Sequence, residues 1–307
     1  MNNLHSLFQT SAVSRRAFLS NTLKSAGSLA LLGMHSSLAV NTLTAKQLTV
    51  QEIMDLILKE GGLTPLSDTV DTLKAGRDDQ VVTGIVTTMF PTITIVEEAA
   101  KRNANFIIAH EPSFYNHKDD PAWVPNNTVL KQKQQLLEKH KIAIWRFHDY
   151  CHSMKPDAVS YGVAKKANWL SYYKTGERML TIPKLSLKQL VQHLKTSLGI
   201  GHVRVIGNLD QSCSRIALLP GAWGGPRQVS TVESEKPDVL IVGELSEWET
   251  AEYIRDGRLL GSKTALIVLG HAVSEEPGMQ WFAEWLQPKL TGIKVTHLAS
   301  GDPFIWM

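Results

Sequence analysis

Histidine and glutamate residues gather just after three apolar runs of the sequence. Each run has the length and composition of a buried strand, and the polar residues begin where the run ends. Imidazole nitrogens and carboxylate oxygens together suit Zn²⁺, Fe²⁺ or Mn²⁺ better than Ca²⁺ or Mg²⁺. The sequence therefore predicts a metal centre, whose candidate ligands are His110, Glu111, His148, His152, His271 and Glu275.

The spacing of these residues fits two ions rather than one. His271 and Glu275 are four positions apart, which puts them one turn apart on one face of a helix, and His148 and His152 have the same interval. The neighbours at positions 110 and 111 would point to opposite faces of a strand, so they diverge as two nearby ions require. We expect two divalent ions, Zn, Fe or Mn. A single histidine at a strand end is more often structural, and only the joint pattern favours a metal.

The elements that must position these residues alternate along the chain. Amphipathic helices and short β-rich runs follow one another from about residue 48, and the second half repeats the strand–helix–strand order of the first. The sequence predicts an α/β fold with two similar lobes, at about 48–175 and 207–307, and a possible inserted subdomain at about 176–206. Ligands of open α/β sheets gather at the carboxyl ends of strands, so the strand ends of the two lobes should face each other.

The first 39 residues read as an export signal. Arg15 and Arg16 precede a mild apolar run at 25–34, and the small residues Ser37 and Ala39 follow it. This arrangement resembles a twin-arginine signal, and the run is too short to span a bilayer. We expect cleavage near residue 39, a domain over 40–307, and a periplasmic or otherwise exported protein.

Composition and charge exclude several classes of protein. The 307 residues are 43% hydrophobic and 20% charged, which is ordinary for a globular chain. The net charge of +3 comes from Arg15, Arg16 and Lys24 within the signal, so the balanced remainder argues against nucleic acid or membrane partners. The two cysteines, Cys151 and Cys213, exclude a disulfide-rich scaffold but leave one disulfide open. Cys151 is a weaker candidate ligand beside His152.

Several of these motifs resemble those of the Nif-three-like dinuclear metal-centre proteins, also called GTP cyclohydrolase type 2 homologues. Gly-His-x-x-Ser-Glu at 270–275 matches a ligand motif of that family as it stands. His-Glu-Pro at 110–112 lies where the family has His-His-Pro, and 148–152 lies where it has His-Thr-x-x-Asp. The helix and strand from Gly84 to Phe114, and Gly-Glu at 243–244, also resemble family segments.

Three departures from the family pattern bear on the site. Glu111 replaces the second histidine and His152 replaces the aspartate, so one imidazole and one carboxylate have exchanged places. The numbers of nitrogen and oxygen ligands are thereby preserved. Trp248 lies where the family often has a histidine, which puts any activity of that histidine in doubt.

The resemblance implies roles for individual residues and an assembly. Two metals would be held by five residues, with Glu275 as the bridging carboxylate and His148 as a sixth ligand or a hydrogen-bonding partner; the five are His110, Glu111, His152, His271 and Glu275. Members of the family are typically ring-shaped homo-hexamers whose metal centres face an internal cavity.

The leading functional hypothesis is a metal-assisted hydrolase of an unidentified small molecule. Glu244 or Glu247 would act as general base, although both are equally well explained as exposed acids at a helix start. Cyclohydrolase activity is implied by the resemblance only, and an exported protein would meet little GTP. The alternatives are a non-enzymatic, ring-forming protein that binds or assembles through metal, and an oxidant-handling di-iron protein. Four tryptophans could line an aromatic pocket or simply belong to the core: Trp123, Trp145, Trp223 and Trp248.

Overall fold

Two five-stranded sheets form the framework of residues 47–307, the part of the chain that the computed structural model describes. The first sheet has parallel central strands and one antiparallel edge strand, β1. Its strand order is β1 (Leu73–Ala75), β4 (Ala143–Arg146), β3 (Phe106–Ala109), β2 (Ile85–Thr88) and β10 (Val295–His297).

The second sheet also has a parallel centre, with an antiparallel strand at each edge. Its strand order is β5 (Met179–Ser186), β7 (Ser212–Leu219), β8 (Val239–Val242), β9 (Ala265–Val268) and β6 (Arg204–Ile206). β2, β3, β4, β8 and β9 are buried along their whole length, as their continuous apolar sequences predict. The α/β class predicted from the sequence is therefore confirmed.

Helices connect and cover the strands. Several begin at a side-chain cap, and Thr49 and Ser186 each complete a reciprocal capping box with the residue three positions on. The helices are α1 (Val50–Glu60), α2 (Ile93–Lys101), α3 (Thr128–Lys139), α4 (Asp149–Ser153), α5 (Ala158–Lys166), α6 (Leu187–Leu198), α7 (Gly225–Glu235), α8 (Glu252–Leu259) and α9 (His271–Leu286). A π-helical turn, Glu247–Ala251, precedes α8, and a 3-10 turn, Gln287–Lys289, follows α9.

The edge strands come from parts of the chain that are distant in sequence. Strands β5 and β6 lie at the two edges of the second sheet, so 176–206 extends that sheet on both sides. Strand β10 returns from the second half of the chain to pair with β2 in the first sheet. The lobe boundaries given above stay a prediction.

Helix α9 packs across α5 at very short range. A Cβ added to Gly162 would lie 2.5 Å from the carbonyl oxygen of Pro277, and one added to Gly278 would lie 2.7 Å from the Cα of Val159. Only glycine permits this approach. Farther along α9, Met279 and Phe282 are fully buried in the core beneath the first sheet. The close packing fixes where the first turn of α9 lies.

Within residues 47–307, no helix combines the length and apolarity that crossing a membrane requires. The predicted export signal at 1–39 lies outside the described residues.

Candidate metal centre

The six predicted ligands lie together where the carboxyl ends of β3 and β4 meet the first turns of α9. The ring nitrogen Nε2 of His271 lies 3.0 Å from Oε2 of Glu275, and Nε2 of His110 lies 3.6 Å from the same oxygen. Oε1 of Glu111 lies 3.5 Å from Nε2 of His271 and 3.6 Å from Nε2 of His148. Three segments that are far apart in sequence therefore meet in one polar cluster.

Two overlapping sets within the cluster could each hold an ion. The imidazole group is His110, His148 and His152, and the carboxylate group is His110, Glu111 and Glu275. In each group, one ligand atom from every residue lies within 4.8 Å of the others. His110 belongs to both groups and is fully buried. The two groups adjoin at His110, whose Nδ1 is engaged by the Phe147 carbonyl, so its one free nitrogen could bind an ion in either group but not in both at once.

The rings of the imidazole group contact one another directly. The centroid of His110 lies 4.7 Å from that of His148, with the two rings stacked, and 5.1 Å from that of His152. The rings of His148 and His152 meet edge to face at 4.9 Å.

Each of the four imidazoles has its Nδ1 atom engaged by an oxygen of the protein. In a neutral ring, such a bond selects the tautomer with the proton on Nδ1 and leaves Nε2 as a lone-pair donor, whereas a protonated ring must first lose its Nε2 proton to bind a metal. The partners are the Phe147 carbonyl for His110 at 3.2 Å, Asp149 for His148 at 2.9 Å, Asp157 for His152 at 3.1 Å and Glu244 for His271 at 3.1 Å.

The Nε2 atom of His110 is the clearest sign that the residues fit a metal. This atom is buried and has no hydrogen-bond partner within residues 47–307. Buried polar atoms nearly always have a partner, so an unsatisfied nitrogen in a set of metal-ligand types fits an ion. Cys151 and Cys213 are both free and buried, so the disulfide that the sequence left open is not formed.

The local charges separate the histidines into two kinds. Burial and the charge of His110 lower the pKa of His148 to about 4, so this ring is neutral at neutral pH. Burial also lowers the pKa of His271, but hydrogen bonds with the surrounding carboxylates outweigh it and raise the pKa to about 11. Burial acts to raise the pKa of Glu275, and the neighbouring His110 and His271 hold it well below its usual value. The carboxylate side of the cluster thus holds a cation in the form of a protonated imidazole.

Buried charges hold the loop after β3 in place. The guanidinium of Arg146 is fully buried, lies 3.3 Å from a carboxylate oxygen of Glu111, and donates to the His110 carbonyl at 3.3 Å. It also donates to the carbonyl of His117 and lies 3.4 Å from Asp119. Asp119 in turn accepts from two backbone N–H groups of the loop, at 2.6 and 2.8 Å.

Glycines position the other side of the cluster. A Cβ added to Gly221 would lie 2.0 Å from Oε1 of Glu275, and Gly221 has a φ of +76°. A Cβ added to Gly243 would lie 2.4 Å from Oγ of Ser274. That hydroxyl accepts from the Gly221 N–H at 2.9 Å and donates to the His271 carbonyl at 2.7 Å. The turns after β7 and β8 can therefore press directly against α9.

The two predicted general bases lie in different settings. The Glu244 carboxylate bonds to His271 and is about half exposed, so it reaches both the cluster and solvent. The structure does not bring Glu247 into the cluster, because its carboxylate is 73% exposed and pairs with Arg204 at 2.5 Å.

The tryptophans do not form a common aromatic wall. Trp145 is buried in the first core, Trp123 is exposed, and Trp248 is 79% exposed. Trp223 is the member that reaches the site, with its ring 6.5 Å from that of His152. Trp145 therefore belongs to the core, as the alternative interpretation had it, and the exposed rings of Trp123 and Trp248 do not form an enclosed wall.

Sequence reasoning missed the residues that orient the ligands. Asp149 and Asp157 follow the imidazoles that they bind by one and five positions, and Arg146 ends an otherwise apolar strand. A charged residue in a run that is otherwise buried is a usable signal, since such charges are rarely buried without a partner.

A cavity of about 750 Å³ opens beside the carboxylate group. Its lining includes Glu111 and His271 from the cluster and Phe90, Ile93 and Tyr115 from the first-sheet side. Phe90 also meets the ring of His271 edge to face, at 5.6 Å between centroids. A small molecule with an apolar or aromatic part therefore has room next to the ligands.

The chain is similar to several known proteins. A Clostridium acetobutylicum protein named GTP cyclohydrolase 1 type 2 homolog is 24% identical over 248 residues, 76% of this chain and 88% of that protein. A Clostridium perfringens protein of the same name is 22% identical over 251 residues, 78% of this chain and 89% of that protein. The crystal structure of a Staphylococcus aureus hypothetical protein superposes with a TM-score of 0.68 at 18% identity, covering 85% of this chain and all of that one.

The family match covers most of the described structure. The Duf34/NIF3 (NGG1p interacting factor 3) family matches residues 67–303, which include both sheets and every residue of the cluster. The family resemblance that the motifs indicated is confirmed. The chain belongs to the Duf34/NIF3 family.

Proposed function

We propose that the protein binds two divalent metal ions and hydrolyses a small molecule at this centre. The observation that carries the proposal is the fixed orientation of four imidazoles. Each has its Nδ1 bonded to a carbonyl or carboxylate, and the Nε2 atoms of His110, His148 and His271 lie within 3.6 Å of a carboxylate oxygen of Glu111 or Glu275. Outer partners of this kind accompany most metal-binding histidines, and a purely structural cluster has no need of them on every ring.

The residues would divide the work as follows. When bound, the divalent ions supply Lewis acidity, which polarises a carbonyl, amidine or phosphoryl group and lowers the pKa of water toward neutrality. Glu275, which lies within 3.6 Å of both His110 and His271, is the proposed bridging ligand. Glu244 is the proposed general base. Its hydrogen bond with His271 holds its pKa below the usual value, so it is ionised at neutral pH and can accept a proton.

Metal content tests the centre directly. Elemental analysis of protein purified without chelator should give about two equivalents of metal for each chain, and the His271→Ala/Glu275→Ala variant should lose them. A matched control is Glu138→Ala/His140→Ala, which removes the same residue types from the end of α3, just before the start of β4 and so at the opposite end of that strand from the cluster. Low metal content that the first variant leaves unchanged would refute the dinuclear centre.

Turnover is a separate measurement. The metal-loaded protein and the His271→Ala/Glu275→Ala variant should be compared on GTP, phosphate esters, amides and amidines. GTP is included because two relatives carry the name GTP cyclohydrolase 1 type 2 homolog. Hydrolysis that requires the cluster supports the hydrolase. Two bound metals without turnover of any substrate would favour the metal-dependent binding or assembly protein instead.

Export and assembly complete the proposal. The Arg15–Arg16 pair supports export through the twin-arginine pathway, and Arg15→Lys/Arg16→Lys should then keep the protein in the cytoplasm of a host with that pathway.

Family membership supports a homo-hexamer. Light scattering should give about six times the mass of one chain, and a monomeric mass would refute the ring.

A further inference from the structure

A second polar cluster lies beside the imidazole group and is not explained by metal binding. Two guanidinium groups, Arg178 and Arg227, lie over the ring of Trp223, at 4.3 and 5.0 Å from its centroid. The same tryptophan ring lies 6.5 Å from that of His152. We call Arg178, Trp223 and Arg227 the arginine cluster.

The backbone fixes the three residues at one end of the second sheet. Arg178 immediately precedes β5, and its carbonyl accepts from the N–H of Leu218 in β7 at 2.9 Å. Trp223 lies in the turn that leaves β7, and Arg227 lies in the first turn of α7. Because β5 runs antiparallel to β7, its start lies beside the end of β7. The cluster therefore lies at the sheet edge that faces the metal centre.

The two guanidinium groups lack anionic partners. Among residues 47–307, neither forms an ion pair or a side-chain hydrogen bond, although most of the other arginines there do. The carboxylate that acts on Arg178 is Asp157, but its oxygens are already engaged by His152 and by the N–H of Ser160. Two like charges held at one aromatic ring repel each other, and that repulsion is relieved when an anion binds between them.

We propose that the arginine cluster binds an oxyanion, a phosphate or carboxylate group, of the molecule that is held at the metal centre. Guanidinium groups match the oxygens of phosphates and carboxylates with paired hydrogen bonds, and the tryptophan ring holds them in position. The proposal rests on the proposed function, because it describes the ligand of the same site. It makes Arg178 and Arg227 determinants of ligand specificity.

Calorimetric titration with inorganic phosphate and with acetate tests the proposal on the metal-loaded protein. Arg178→Ala and Arg227→Ala should each weaken phosphate binding about tenfold, which corresponds to about 1.4 kcal/mol. Arg178→Lys/Arg227→Lys keeps both charges and should lose less affinity than the double alanine variant. The matched control is Arg255→Ala, which removes an exposed arginine that pairs with Glu252 on α8. It should leave the affinity unchanged.

The two anions and a metal-free sample separate the outcomes. Tighter binding of acetate than of phosphate, with the same dependence on the arginines, assigns the cluster to a carboxylate. Phosphate affinity that is unchanged in the double alanine variant, or no binding of either anion below about 10 mM, overturns the proposal. Repeating the titration after removal of metal with a chelator tests the arginine cluster separately from the dinuclear centre. Arginine-dependent binding that persists without metal supports the cluster even if the dinuclear centre is refuted.

Discussion

The two sides of the candidate metal centre are positioned by different physical means. On the first-sheet side, the loop after β3 is tied by buried charges, above all Arg146 with Glu111 and Asp119. On the second-sheet side, the first turns of α9 rest against bare backbone at Gly221 and Gly243. The first arrangement depends on charge and hydrogen bonding, whereas the second depends on the missing Cβ atom of each glycine. The two sides should therefore fail under different substitutions and conditions.

Removal of the buried guanidinium should have the largest effect. Arg146→Met removes the buried guanidinium that Glu111 and Asp119 share, and breaking buried ion pairs in this way costs about 3–5 kcal/mol. The free energy of unfolding, measured with denaturant, should fall by about that amount. The control is Arg77→Met, because that exposed arginine pairs with exposed Asp79 and should change stability by well under about 1 kcal/mol. Equal effects for the two variants would contradict the importance of buried charge.

A methyl group at Gly221 should disrupt metal binding on the second-sheet side. Gly221→Ala combines a positive φ with a Cβ only 2.0 Å from Glu275, so that carboxylate must move. We expect loss of at least one metal equivalent and a destabilisation of about 1–3 kcal/mol. Gly224→Ala is the matched control, since Gly224 has a φ of +75° and open space around its Cβ position. It should carry the backbone strain and retain the metal. Metal loss in both variants would show that the contact with Glu275 is not the cause.

On the first-sheet side, Lys133 should make the stability of the protein depend on pH. Burial lowers the pKa of this lysine to about 8, and its ammonium donates to the Ser113 carbonyl at 2.7 Å. Between pH 8 and the unfolded value of about 10.4, the unfolded chain binds more protons, so stability should rise with pH. Relative to Lys133→Met, the wild type should gain on the order of 2 kcal/mol from pH 7 to pH 10. A difference that stays constant with pH would show that Lys133 has an ordinary pKa.

The smallest expected effect concerns an outer partner. Asp157→Asn leaves the shape around His152 unchanged but removes the charge that orients its ring. Metal affinity should fall on the order of tenfold, the low end of the range for such partners, because Asp157 is partly exposed. Competition with a chelator would measure this loss. Asp210→Asn, on the exposed turn between β6 and β7, should leave the affinity unchanged.

The sequence predicted the central strands and selected the candidate ligands from local patterns. Apolar runs such as 106–109 and 239–242 are buried along their length, and His271 and Glu275 lie one helical turn apart as their interval predicts. Thr92 and Ser186 begin helices with side-chain caps, which also depend only on residues close in sequence. These features need only neighbouring residues to be interpreted.

The features that the sequence did not predict depend on contacts between distant parts of the chain. The pairing of β10 with β2 has no signal in either strand, because both are short and any parallel partner would satisfy them. Arg146 looked like the end of a strand, and its importance depends on Glu111 and Asp119 approaching it in space. Gly221 looked like an ordinary turn residue, and its necessity depends on where Glu275 lies.

The position of β10 has a consequence for the order in which the molecule can fold. Thr87 in β2 and His297 in β10 are 210 positions apart, yet they are paired neighbours in one sheet. Such a distant pairing carries a large loop-closure cost and slows folding. The first sheet, although built mostly from early residues, stays incomplete during synthesis until almost all of the described chain has left the ribosome. The candidate ligands at 110 and 111 therefore reach their final positions late, after those at 271 and 275 have been made.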